Sequence, residues 1–316
     1  MTDLNKYKGI IPAFYACYDA EGEICPERTE QFAEYLIAKG VKGLYVGGSS
    51  GECIYQSVAD RKATLESVMR VARGRVTVIA HVACNNTRDS RELAAHAEGL
   101  GVDAIAAIPP IYFRLPELSI AKYWNEISDA APNTDFIIYN IPQLAGVALT
   151  PALYSYMLEN PRVIGVKNSS MPVQDLQIFK ALGGDECVVF NGPDEQLAAG
   201  LAMGADGGIG GTYAAMPELY LAMEDLMATG QTGAARQIQY EANKIIALLC
   251  SGEGHMYAVI KEVLRRMSGL ELGSVREPLA ACTPNDDALI DRCVAAIKEA
   301  VSLYEIAKPA VAEPLL

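Results

Sequence analysis

Eight short apolar runs, each followed by an amphipathic stretch of helical period, constrain this chain more than any other feature. The runs fall near 9–17, 43–48, 76–84, 104–109, 136–141, 163–167, 187–191 and 207–212. Most are too short for a helix and rich in β-branched or small residues, which marks them as buried strands. Helical patterns fill the intervals at about 27–39, 59–73, 88–100, 120–130, 151–158, 173–182, 195–203 and 217–229. Strands alternating with helices pair in parallel, since each helix carries the chain back along the sheet. Eight such units predict an α/β protein built as a closed (β/α)8 barrel, a TIM barrel, rather than an open doubly wound sheet.

Past about residue 230 the strand pattern stops, and 233–249, 255–267 and 287–306 have the period of three further helices. With no low-complexity linker between, the expected division is a barrel over 1–230 and a helical extension over 231–316, packed as one structural unit. The tail 308–314 has the composition of a frayed end.

A net charge of −13 opposes binding to nucleic acid or to an anionic membrane surface. No stretch is apolar enough to span a bilayer and residues 1–8 lack a signal-peptide core, so a cytoplasmic location is expected. Eight cysteines contain no Cys-x-x-Cys pair, and His81, His96 and His255 show no metal-ligand spacing. Neither a disulfide framework nor a zinc site is expected. His81, inside an apolar run, has the setting of a hydrogen-bonded core histidine.

Barrel enzymes carry their reactive groups at the carboxyl ends of strands. The sixth run, Val163-Ile164-Gly165-Val166-Lys167, ends on a lysine. Such a lysine either snorkels its charge to solvent or, held in a dry place that disfavours the ammonium, offers a free amine as a Schiff-base nucleophile. The second run ends in Gly47-Gly48-Ser49-Ser50-Gly51-Glu52. Its hydroxyls and amides suit a carboxylate or phosphate, and equally suit a tight turn with serine caps. Tyr139, near the end of the fifth run, is either a proton carrier or a core aromatic. Asp194-Glu195, after the seventh, can cap a helix or grip a polyol.

Together these motifs resemble the N-acetylneuraminate lyase branch of the dihydrodipicolinate synthase family of pyruvate-dependent class I aldolases, over nearly the whole chain. The resemblance implies a (β/α)8 barrel, a homotetramer built as a dimer of dimers, and no metal or organic cofactor. It implies that Lys167 forms the Schiff base, that Tyr139 transfers protons, and that Ser49 and Ser50, with the amide of Gly51 nearby, hold a keto acid carboxylate. Tyr112, in Pro110-Ile111-Tyr112-Phe113, corresponds to an aromatic hydroxyl that reaches an adjoining subunit's site. Ser169, Gly192, Asp194, Glu195 and Gly211 fall where the lyase branch binds its sugar, and Glu52 resembles a buried structural acid. Leu144 stands where the synthases carry an arginine for a second carboxylate, and without that fork the main reason to bind one there is lost. Two departures are Ser49-Ser50 in place of a Ser-Thr pair and Gly211 in place of a frequent serine. The expected activity is reversible cleavage of N-acetylneuraminate to N-acetylmannosamine and pyruvate. The alternatives are an aldolase for 2-keto-3-deoxy sugar acids, a synthase-like enzyme, or a non-catalytic sugar-acid sensor.

Overall fold

A computed structural model describes residues 3–307; the tail 308–314 lies outside the described residues. Among the described residues are eight parallel strands, β1 (Gly9–Pro12), β2 (Gly43–Val46), β3 (Thr77–His81), β4 (Ala104–Ala107), β5 (Asp135–Asn140), β6 (Val163–Asn168), β7 (Val188–Asn191) and β8 (Gly207–Gly210). They run in the order β1-β8-β7-β6-β5-β4-β3-β2. The barrel closes where the Phe14 amide donates to the Tyr45 carbonyl and the Lys42 amide to the Ile10 carbonyl, both at 2.9 Å.

Around the barrel lie α1 (Pro26–Ala38), α2 (Val58–Ala72), α3 (Thr87–Leu100), α4 (Glu117–Asp129), the single turn α5 (Pro142–Ala145), α6 (Pro151–Met157), α7 (Gln174–Gly183), α8 (Leu197–Ala202) and α9 (Pro217–Ala228). Three longer helices follow, α10 (Thr232–Leu249), α11 (Met256–Ser268) and α12 (Asp287–Ala307). Starts are set locally. Ser57 and Asp60 exchange hydrogen bonds as a capping box at α2, and Asn86 caps α3. The sequence pattern anticipates every one of these elements except α5, whose signal is Pro142 at its first position and Gly146 just past its end.

Strand side chains alternate between two buried layers. Ile10, Leu44, Val78, Ile138, Val166 and Val189 face the helices. Ile11, Tyr45, Ile79, Tyr139 and Phe190 fill the lumen. Tyr7 plugs the amino-terminal end, its hydroxyl lying 2.6 Å from the Asp103 carbonyl oxygen and 2.7 Å from Asp135 Oδ2. One irregularity interrupts the barrel. Phe136 pairs with Val163 but Ile137 pairs with Gly165, so β6 holds one extra residue. A Cβ at Gly165 would lie 1.9 Å from the Val188 carbonyl oxygen, so glycine alone fits.

The extension is tied to the barrel by side chains reaching strand-end loops. Gln239 on α10 donates to the Asp194 carbonyl at 3.0 Å, and Asn243 to that of Glu195 at 3.0 Å. No described helix is long and apolar enough to cross a membrane.

Candidate active site

A cavity of about 290 Å³ opens at the carboxyl ends of the strands. Lys167 projects into it from β6 and is 4% exposed. In register beside it on β5 is Tyr139. The lysine Nζ lies 4.0 Å from the Tyr139 ring centre and 4.4 Å from that of Tyr45. Among the described residues no carboxylate forms an ion pair with it, and its head group lies against these two aromatic faces.

Of the residues singled out from sequence, Ser49, Ser50, Tyr139, Lys167, Ser169, Gly192, Asp194, Glu195 and Gly211 all line this cavity. Two do not. Gly51 sits behind it in the turn, its amide donating to the Gly48 carbonyl at 3.0 Å. Tyr112 is 90% exposed on the loop after β4, at φ +88° and with its ring edge-on to Phe113. A side chain at Gly192 would collide with Ser169 Oγ at 1.9 Å, so this glycine makes the room that Ser169 occupies.

The acidic pair divides. Asp194 is buried, and its carboxylate accepts from the amides of Gly211 at 3.1 Å and Thr212 at 2.6 Å and from the Thr212 hydroxyl at 2.5 Å. It fastens the loop after β8, and most of its accepting capacity is spent there. Burial pushes its carboxyl up to about 6 against the pull of the Thr212 hydrogen bonds. Glu195 is exposed at the rim and its carboxylate meets no donor among the described residues, leaving it the freer acceptor for a polyol.

Behind the mouth, a network of amides sets the loops. Asn140 donates to Asn168 Oδ1 at 2.7 Å, Asn168 to Ser170 Oγ at 2.9 Å, and Ser170 to Asp175 at 2.6 Å. Glu52 is sealed in, paired with Lys261 of α11 at 2.9 Å and accepting from the Arg276 amide at 2.7 Å. Arg61 is another buried cation, and its guanidinium donates to the carbonyls of His81 at 2.6 Å and Ala83 at 2.7 Å. His81 in turn donates from Nδ1 to the Gly47 carbonyl at 2.9 Å. Burial, and then the charge of Arg61, hold its imidazole well below the usual range, so it stays neutral and structural.

Sequence reasoning did not anticipate Tyr45, Thr212 or the contribution of the extension, which sends Ile246, Cys250, Met256 and Tyr257 into the cavity wall. Nothing in α10 or α11 marks these residues, because their roles come from tertiary placement. Leu144 also lines the cavity, from the overlooked turn α5.

A parallel barrel with a buried lysine beside a tyrosine at its carboxyl mouth defines the class of lysine-bearing (β/α)8 proteins. The sequence model of the dihydrodipicolinate synthetase family matches residues 6–299, and the chain belongs to that family. It is 63% identical over 308 residues to the N-acetylneuraminate lyase of Mediterraneibacter gnavus, covering 98% of this chain and 96% of that protein. The N-acetylneuraminate lyase of an Enterobacter species is 34% identical over 87% of this chain and 92% of its own length. Among solved structures, a catalytic lysine mutant of the Ruminococcus gnavus sialic acid aldolase superposes with a TM-score of 0.95 at 62% identity, covering 96% of this chain and 100% of that one.

Proposed function

We propose that the chain is an N-acetylneuraminate lyase, a carbon-carbon lyase of class I aldolase type that reversibly splits N-acetylneuraminate into N-acetylmannosamine and pyruvate. The observation that carries this is the buried Lys167 amine over the Tyr139 ring, with the Ser49-Ser50 turn on the same cavity. The 63% identity to a lyase of that name supports the substrate. So does Leu144, which offers no charge to a second carboxylate.

In this mechanism the Lys167 amine adds to the C2 ketone of the open-chain sugar acid, and loss of water with uptake of one proton gives a protonated imine. That imine draws in the electron pair as the C3–C4 bond breaks. Tyr139 relays the C4 hydroxyl proton through its own hydroxyl to the substrate carboxylate as C4 becomes the aldehyde carbon of N-acetylmannosamine. Protonation of the resulting enamine at C3 and hydrolysis then release pyruvate and the free lysine. Ser49 and Ser50, through their hydroxyls and their own amides, hold the carboxylate. Ser169, Gly192, Asp194, Glu195 and Gly211 shape the sugar end, with Glu195 the direct acceptor and Asp194 holding the β8 loop.

The reading includes a cytoplasmic homotetramer in which Tyr112 acts across a subunit contact, and a barrel of 1–230 with the extension of 231–316 as one unit. The exposed pair Tyr112 and Phe113 supports the contact, as a solvated aromatic pair at a positive φ is unfavourable without a partner.

A substrate panel with coupled pyruvate detection tests the function. N-acetylneuraminate should be cleaved far faster than 2-keto-3-deoxygluconate, and pyruvate should not condense with aspartate semialdehyde. Preference for the short sugar acid would leave the aldolase and remove the lyase. A fully active monomer on dilution would remove the role of Tyr112.

A further inference from the structure

The turn that follows β2 is held from outside the barrel by one face of one helix. Tyr257 and Lys261 lie four residues apart on α11 and so project from the same side. Lys261 pairs with Glu52 at 2.9 Å. Tyr257 places its hydroxyl 2.9 Å from Ser50 Oγ. The two tethers therefore grip the same Ser49–Glu52 segment. The Tyr257 ring is packed in turn against Tyr15 and His255, at centroid distances of 5.7 and 5.2 Å. Tyr15 reaches the neighbouring loop, donating to the Gly211 carbonyl at 2.5 Å.

Gly211 belongs to this arrangement. Its φ is not in the left-handed region, so the backbone does not demand glycine. Space does. A Cβ there would meet Ser50 Oγ at 3.2 Å and Tyr257 Oη at 3.3 Å, both closer than ordinary packing. A larger side chain at 211 and the phenol of residue 257 compete for one position beside Ser50.

We infer that Tyr257 is a positioning residue of the carboxylate pocket, donating its proton to Ser50 Oγ so that the one proton of Ser50 is aimed into the cavity, in space that Gly211 leaves open. A serine hydroxyl has one proton to give and two lone pairs. Were Ser50 to donate to Tyr257, it would have nothing left for an anion; with Tyr257 as donor, it faces the carboxylate as a donor itself. Burial holds the phenol of Tyr257 above its ordinary range, which keeps it in the donating form across the working pH. This inference rests on the reading of Ser49-Ser50 as the pocket for a keto acid carboxylate.

The test uses the full-length enzyme in the condensation direction, titrating pyruvate at saturating N-acetylmannosamine, with borohydride trapping of pyruvate on Lys167 alongside. Trapping on the wild type separates the two ideas, since a wild type that yields no adduct removes the proposed function itself. Given that adduct, Tyr257→Phe should raise the half-saturating pyruvate concentration about tenfold, the scale of one lost hydrogen bond, and leave kcat within about threefold. Adding Gly211→Ser to Tyr257→Phe should restore most of that affinity by supplying a hydroxyl from the other side. Gly211→Val, which crowds the phenol away without deleting it, should reproduce the loss. In a Ser50→Ala background Tyr257→Phe should add less than about twofold. An unchanged pyruvate requirement in Tyr257→Phe, or a loss undiminished in the Ser50→Ala background, overturns the inference.

Discussion

Lys167 and Lys261 are both sealed from solvent, at 4% and 2% exposure, and they stand in opposite surroundings. At the seam between barrel and extension, Lys261 has the Glu52 carboxylate at 2.9 Å and the Ser274 carbonyl at 2.6 Å. Burial pulls its ammonium below the ordinary value while Glu52 opposes that pull, and the pair joins α11 to the turn after β2. In the barrel mouth Lys167 has aromatic faces and an open cavity instead. Burial is common to both sites. What separates a structural lysine from a candidate nucleophile is whether the surroundings supply a counter-charge or leave room for a substrate.

The sharpest way to break this comparison is chemical. Pyruvate followed by borohydride should modify Lys167 and leave Lys261 untouched, as read by peptide mass spectrometry, and Lys167→Ala should lower turnover by roughly 10³-fold or more. Labelling at Lys261 would erase the distinction. Next in size, Lys261→Met should cost about 3–5 kcal/mol in denaturant unfolding, because it leaves the Glu52 carboxylate buried without its cation. Adding Glu52→Gln should return part of that loss. Tyr139→Phe, which keeps the ring against Lys167 but removes the hydroxyl, should cost roughly 10²-fold in turnover with the fold intact by circular dichroism. Near-normal turnover would make Tyr139 a packing residue.

The smallest effect concerns Asp194, a buried acid held by hydrogen bonds and, among the described residues, in no ion pair. Its carboxyl is raised from 3.8 to about 6, so between those values the folded protein binds its proton more tightly than the unfolded chain does. Stability therefore falls as pH rises through that window. The stability of the wild type minus that of Asp194→Asn should drop by on the order of 2 to 3 kcal/mol from pH 4 to 7 and stay level above that. A difference independent of pH would show that burial does not govern this group. Because Asp194 fastens Gly211 and Thr212, Asp194→Ala should impair short and long sugar acids alike, whereas Glu195→Ala should penalise the long one more.

Most of the fold was legible because strands and helices write different periods, and the barrel follows from counting them. The lysine and tyrosine were legible because each sits at a strand end, where a polar group on a buried run stands out. Other parts were not. Asp194 has the sequence appearance of a sugar ligand, and only the fold shows its oxygens turned to the Thr212 hydroxyl and two amides. Tyr257 sits 207 positions from Ser50, and no local pattern announces a bond that exists only once α11 lies over the mouth. Arg61 looks like any helix surface arginine until its guanidinium is found among carbonyls under the β2 and β3 loops.

The extra residue in β6 works as a frameshift in three dimensions. Ile164 faces the lumen, and strict alternation from it would send Val166 inward and Lys167 out among the helices. The pairing slips by one at Gly165, Val166 turns outward, and Lys167 comes into line with Tyr139. The lysine's chemistry thus depends on a glycine two positions earlier that touches nothing in the cavity. Replacing that glycine with a larger residue would preserve every side chain of the site in the sequence and, by colliding with the Val188 carbonyl, undo the slip that turns the amine toward it in space.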